Sequence, residues 1–256
     1  MERTDRPDAR ERTAPRQGVD AHCRMEADGS GVLRFSGVLD ATATEAVRDA
    51  LLLRLCERPG PLVVDLTGLR IADPTARRIF AEVRREVADW PAAELLVLDP
   101  TGATAGDDGP SGCATADEAT VALARPPLAT ATSTELPPTV GAARLVRMLL
   151  TDRCAQWGLP ELAEPGCIAV TEMVNNVVAH ARTAMTVRLA ARDDTLHIGV
   201  RDHSRRQPAL PGAAPVDTAG GRGLLLIDTV ARRWGSTLLP DGKLIWAVLR
   251  PDPATP

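Results

Sequence analysis

The 256-residue chain has few aromatic side chains, only 2% of the sequence, although hydrophobic residues make up 44%. A core is therefore available, but aliphatic side chains must pack it. A basic excess is also missing: 30 Lys and Arg stand against 34 Asp and Glu, a net charge of −4. That balance excludes the positive field that wraps nucleic acid or an anionic membrane surface, so neither is an expected direct partner. No apolar run approaches the roughly 20 residues of a membrane-spanning helix. Residues 1–21 are crowded with Arg, Asp, Glu and Pro and lack the apolar segment of a secretory leader, so they are expected to form a disordered tail. The five cysteines, Cys23, Cys56, Cys113, Cys154 and Cys167, are odd in number and show no C-x-x-C spacing. Neither a disulfide framework nor a zinc site is expected, and the reading is reduced thiols in a cytoplasmic protein.

What the chain does have is one patterned stretch, Glu172-Met173-Val174-Asn175-Asn176-Val177-Val178-Ala179-His180, inside a helix predicted over about residues 165–181. At about 100° per residue, Glu172, Asn176 and His180 share a narrow polar stripe, whereas Val170, Val174, Val177, Val178 and Ala181 collect on the opposite face. One side is buried and the other is offered to something polar. A carboxylate and an amide one turn apart can serve a single chemistry. The amide oxygen is a neutral ligand for a hard cation such as Mg²⁺, and the carboxylate can take a proton from an attacking hydroxyl. The plain alternative is a solvated helix face.

Before that helix, strands and helices alternate. Val32, Phe35 and Val38 mark a strand broken at Gly37, and Thr42-Ala43-Thr44-Glu45 reads as a capping box for a helix with apolar Val47, Leu51 and Leu55, stopped by Pro59-Gly60. Leu62 to Leu66 is a strand of the buried type. Asp73-Pro74 is a favoured N-cap and first position for a helix over about 74–89, and Leu95 to Leu98 is a further strand. This alternation predicts an α/β fold, with a small βαβ sheet and its helices over residues 22–100. Residues 101–127, with several Gly and Pro and little apolar period, are expected to be a linker, spanning about 30 Å if flexible. That reach allows the two domains to touch.

A second domain is expected over residues 128–250. Leu128 to Glu135 reads as a strand, and Pro138 opens a helix closed by Gly158 and Pro160, before the Glu172 helix. Met185 to Arg192 and Thr195 to Asp202 form a hairpin around Asp193-Asp194, and the period of two puts Asp202 on the face of Leu196, Ile198 and Val200. A carboxylate facing a core must find a donor, an adenine amino group being one, unless the strand end bends into water. Gly220-Gly221-Arg222-Gly223 precedes a helix beginning near Leu224. Such glycines let backbone N–H groups approach phosphate oxygens at a helix N-terminus, and a plain loop is the other explanation. Trp234 to Leu239 and Lys243 to Leu249, joined at Pro240-Asp241-Gly242, close the sheet as a hairpin.

Order and spacing carry two resemblances. Glu172-x-x-x-Asn176-x-x-x-His180, Asp202 and Gly221-Arg222-Gly223-Leu224 resemble the N, G1 and G2 boxes of the GHKL ATPases. The short lid and the closing Gly242-Lys243-x-x-Trp246 look most like the anti-sigma-factor serine kinase branch. The resemblance implies a Bergerat-type α/β sandwich that binds ATP and Mg²⁺. In it Glu172 is the catalytic base, Asn176 the magnesium ligand and Asp202 the adenine contact, while the Gly221, Arg222, Gly223 and Leu224 segment meets the phosphates. His180 either meets the nucleotide or braces the helix end, and Ser204 stands where many members have glycine. Residues 22–100 resemble a degenerate STAS domain of anti-sigma-factor antagonists, through Gly37-Val38-Leu39-Asp40 and Asp73-Pro74-Thr75-Ala76, in which Pro74 and Ala76 replace that family's Ser and Gly. Thr75 stands at the family's phosphorylated hydroxyl, either as a phosphoacceptor or as an ordinary residue at a helix start. Together the resemblances imply a serine/threonine protein kinase that regulates a sigma factor through STAS-domain partners, with a homodimer also compatible. The alternative is an ATP-dependent binding switch without transfer.

Overall fold

The computed structural model describes residues 23–29, 31–99, 112, 113, 115–124, 130–207 and 222–251. The tail expected over residues 1–21, and Gly220 and Gly221 of the glycine-rich turn, lie outside them.

The chain begins with β1 (Cys23–Ala27), β2 (Val32–Leu39), α1 (Thr44–Glu57), β3 (Gly60–Ile71), α2 (Arg78–Val87), β4 (Ala93–Leu98), β5 (Gly112–Cys113) and α3 (Ala116–Ala124). They build one sheet in the order β1-β2-β3-β4-β5, parallel except for β1. Successive apolar residues let β3 feed both faces of this sheet. Leu62, Val64 and Leu66 pack beneath α1 and α2 with Leu51, Leu55, Phe80 and Val83, while Val63 and Leu98 meet Ala119 of α3. Part of the expected linker is therefore structured: β5 extends the sheet, and α3 covers apolar surface that would otherwise face water.

Two local expectations give way to side-chain chemistry. Helix α1 starts at Thr44 without a side-chain cap in place of the expected capping box, and the turn before it is held by Asp40, whose Oδ1 accepts the N–H groups of Thr42 and Ala43 at 2.9 and 3.2 Å and the Thr42 hydroxyl at 2.6 Å. Helix α2 starts at Arg78, four residues later than the Asp73-Pro74 pair suggests. The intervening chain closes i→i+3 bonds instead, Ala76 N to Asp73 O at 3.0 Å and Arg78 N to Thr75 O at 3.1 Å. Gly37 does not break β2, which runs through it at φ +96° and absorbs an irregularity in its ladder between Arg34 and Ser36.

The second half contains β6 (Ala131–Leu136), α4 (Ala142–Gln156), α5 (Ala163–Asn176), β7 (Met185–Arg192), β8 (Thr195–Asp202), α6 (Arg222–Val230), β9 (Arg233–Leu239) and β10 (Gly242–Leu249). Its antiparallel sheet has the order β6-β7-β8-β10-β9. Alternate residues of the strands, among them Val187, Leu189, Ile198, Val200, Ile245 and Ala247, pack against Leu150 of α4, Val170, Met173 and Val174 of α5, and Leu224 and Ile227 of α6. The result is an α/β sandwich with its helices on one face.

The other face is covered by the first half of the chain. Leu239, Leu244 and Trp246 join the core cluster beneath α1 and α2. Arg188, 8% exposed, donates to the last carbonyls of α1, Leu55 O at 3.2 Å and Cys56 O at 2.7 Å. His197 Nδ1 lies 3.0 Å from Asp89 O, and Arg233 pairs with the Asp89 carboxylate at 2.7 Å. The polar residues of this face thus form an interface between the two sheets. No helix among the described residues is long and apolar enough to cross a membrane.

Candidate functional site

Helix α5 sets the site because its two faces differ. Val170, Met173 and Val174 are fully buried, while Glu172 and Asn176 are half-buried one turn apart. The Glu172 carboxylate lies against the first turn of α6: a Cβ added at Gly223 would stand 2.6 Å from Glu172 Oε2. Only glycine leaves room for that approach. Asn176 Nδ2 is buried without a hydrogen-bond partner among the described residues. A buried amide in that state costs free energy until something polar meets it.

The regular α-helix ends at Asn176, before His180. After Asn176 the helix widens into a π turn, Val177–Ala181, closed by Arg182 N to Val177 O at 2.7 Å with Arg182 left-handed at φ +56°. His180 lies in this wider turn and is exposed, whereas Asn176 is half-buried.

Asp202, at the end of β8, points inward and is 1% exposed, so the strand end does not bend into water. Its donor comes from the chain itself. Lys243 Nζ stands 2.8 Å from Oδ2 and 3.0 Å from Oδ1, and the Ser204 N–H reaches Oδ1 at 2.7 Å. The sequence carried a signal for this partner that spacing arguments passed over. Lys243 has the same parity as Ile245, Ala247 and Leu249 in β10, and an inward lysine needs a carboxylate.

Leu224 is fully buried, so its side chain belongs to the core and its backbone alone can face a ligand. Arg222 opens α6, and Gly221 lies outside the described residues. Thr75 is not brought to these groups. It sits in the half of the chain that covers the opposite face of the second sheet, with its hydroxyl bonded to Asp73 Oδ1 at 2.7 Å and its N–H to the same atom at 2.8 Å. Those two bonds, the hydroxyl's first, hold the Asp73 carboxyl below its ordinary range. Cys56 and Cys154 are remote from the site too, and burial pushes their thiols up to about 12 and about 11. Such thiols stay protonated at neutral pH.

The remaining set is a half-buried carboxylate, an amide with unused hydrogen-bonding capacity, a buried carboxylate with its counter-charge, and a helix N-terminus with a glycine at closest approach. A magnesium nucleotide fits these donors. The amide oxygen suits the ion, the helix end suits phosphate, and the unsatisfied Asn176 Nδ2 marks a place where a polar group is missing.

Residues 136–249 match the family model described as histidine kinase-like ATPase domain. An uncharacterised protein of Streptomyces coelicolor is 41% identical over 70 residues, which are 26% of this chain and 67% of that protein. A crystal structure of the RsbU and RsbW domains of a Mycobacterium tuberculosis protein is 20% identical, with a TM-score of 0.37, over 47% of this chain. The match spans 31% of that longer chain.

Proposed function

We propose that this chain, whose residues 136–249 form a histidine-kinase-like ATPase domain, is an ATP-dependent serine/threonine protein kinase of the anti-sigma-factor type. Its targets are STAS-domain partners, and through them it controls a sigma factor. The observation that carries the reading is Glu172, a half-buried carboxylate held one turn from Asn176 and against the first turn of α6. A pure nucleotide binder has no need of a base there.

Bound ATP with Mg²⁺ supplies the transferable phosphoryl group. Glu172 takes the proton of the partner's Ser or Thr hydroxyl as that oxygen bonds to phosphorus and the bond to the leaving diphosphate breaks. Asn176 offers its amide oxygen to the ion, Asp202 accepts from the base, and the α6 N-terminus with Gly223 receives phosphate oxygens. The first half of the chain is a resident STAS-like domain. It covers the sheet face away from Glu172, an arrangement that supports transfer to a partner's hydroxyl over transfer to Thr75 of the same chain.

That placement of Thr75 also favours a second reading, a switch that binds ATP and partners without transfer, because the chain then carries no reachable STAS hydroxyl of its own. The test is incubation of the full chain with labelled ATP, Mg²⁺ and candidate STAS proteins, followed by mass spectrometry. Glu172→Gln is expected to bind ATP and to lose about 10²–10⁴ in transfer rate. Asn176→Ala is expected to lose both. Full transfer by Glu172→Gln would remove the base role, and ATP binding with no phosphate on any partner would establish the switch.

A further inference from the structure

We infer that Lys243 sets the base selectivity of the nucleotide site, holding Asp202 so that one acceptor position is left for the 6-amino group of a purine. The inference rests on the proposal that the site binds ATP.

The count of hydrogen bonds carries the argument. An ionised carboxylate offers about four lone-pair positions, and an ammonium offers three protons and no acceptor. Among the described residues, Asp202 Oδ1 accepts from the Ser204 N–H at 2.7 Å and from Lys243 Nζ at 3.0 Å, and Oδ2 accepts from Lys243 Nζ at 2.8 Å. One position on Oδ2 remains. The ammonium, in turn, has acceptors for all three protons, the third being Ser204 O at 3.1 Å. What the pair still offers a ligand is therefore an acceptor and not a donor. A 6-amino purine donates there, whereas a 6-oxo purine brings an acceptor against an acceptor.

The pair is also fixed in position. Lys243 stands directly opposite Asp202 in the β8–β10 ladder, and the two residues are 6% and 1% exposed. The preceding residue must be glycine, since a Cβ at Gly242 would run into the Asp202 carbonyl oxygen and come within 2.8 Å of His203 Cα. Lys243 touches no reacting atom in this account. It acts through Asp202, as a positioning residue.

Removing Lys243 has a consequence that a merely structural lysine would not share. A buried carboxylate without counter-charge takes up a proton, and a carboxyl group both donates and accepts, so it binds 6-amino and 6-oxo purines alike. The test is calorimetric titration of the full chain with ATP and with inosine 5′-triphosphate, in Mg²⁺, for wild type, Lys243→Met and Lys243→Gln. Thermal melting of each variant monitors folding. Wild type is expected to prefer ATP by at least about tenfold, and the ratio is expected to fall towards one in both variants while triphosphate binding persists. Lys243→Gln covers the case in which Lys243→Met does not fold, because it keeps a donor to Asp202 without the charge. A folded variant that retains the wild-type ratio would overturn the inference while leaving the ATP reading intact. Wild type preferring the inosine nucleotide would overturn it too, by showing the ammonium turned to the base. Wild type binding neither nucleotide would overturn the ATP reading and the inference with it.

Discussion

Replacement of Arg188 by methionine tests how firmly the two sheets are joined. The guanidinium is 8% exposed and bonds the carbonyls of Leu55 and Cys56, which belong to the last turn of α1 and lack helical partners. Methionine fills most of the volume but leaves both carbonyls unsatisfied, at about 1–3 kcal/mol each, and takes a positive charge from a helix C-terminus, at about 0.3–2 kcal/mol. Against this stands the relief of no longer burying a cation, since replacing a buried ion by a hydrophobic side chain can be neutral or better. Arg188 Nε already lacks a partner among the described residues, which makes that relief real. The carbonyls decide the sign, and the net loss is expected to be about 2–3 kcal/mol. For a chain of this length that lowers the melting midpoint by roughly 4–12 °C. The assay is thermal unfolding followed by circular dichroism, with ATP affinity measured well below the transition. Because Arg188 faces away from Glu172 and Asp202, affinity is expected to hold. A midpoint within about 2 °C of wild type, or an affinity loss in the folded variant, would refute the reasoning.

Burial lowers the His197 pKa, its contact with Asp89 O opposing the shift, so the folded state prefers the neutral ring. Its contribution to stability is full above the unfolded value of about 6.5 and is lost as pH falls from there towards the lowered folded value. Melting midpoints from about pH 7.5 to 5.5 are expected to fall more steeply for wild type than for His197→Gln, and equal slopes would contradict this. Gly223→Ala puts a methyl where the flexible end of Glu172 now lies, so the carboxylate swings aside at little cost and the helix gains up to about 1 kcal/mol. Transfer is expected to collapse without loss of stability, and a folded, fully active Gly223→Ala would exclude the packing of Glu172 on α6 from the mechanism.

The hairpin Met185–Asp202 was legible to the residue because its two strands alternate cleanly and Asp193-Asp194 supplies the turn. The same alternation hid the interface. Thr186, Arg188, His197, Gly199 and Arg201 are the polar half of β7 and β8, and polarity at period two normally means water. What covers them is a long-range docking in which Arg188 meets the Leu55 and Cys56 carbonyls and His197 meets that of Asp89, while Arg201 pairs with Asp241 in a turn of its own sheet, and no local pattern encodes that. Helix α3 escaped for the opposite reason. Its composition is small and weakly patterned, so its burial follows from the free face of β3 and β4 and not from a stripe of its own.

At the site, spacing placed Glu172 and Asn176 one helical turn apart, whereas the π turn that holds His180 was not legible, because the i, i+4 rule assumes a constant period. Parity identified Asp202 as inward, and parity applied to β10 identifies Lys243 as well. Two inward charges of opposite sign on adjacent strands compensate one another, so an ion pair was the first solution to seek before a ligand. The same face logic bears on Thr75. Its resemblance to a phosphoacceptor is local, whereas access to Glu172 is global, and the second sheet stands between the two. A linker long enough for contact does not help when the contact made is on the wrong face. The proposed transfer therefore has another chain's hydroxyl as its expected acceptor, and phosphate found on Thr75 in a strictly monomeric sample would contradict this.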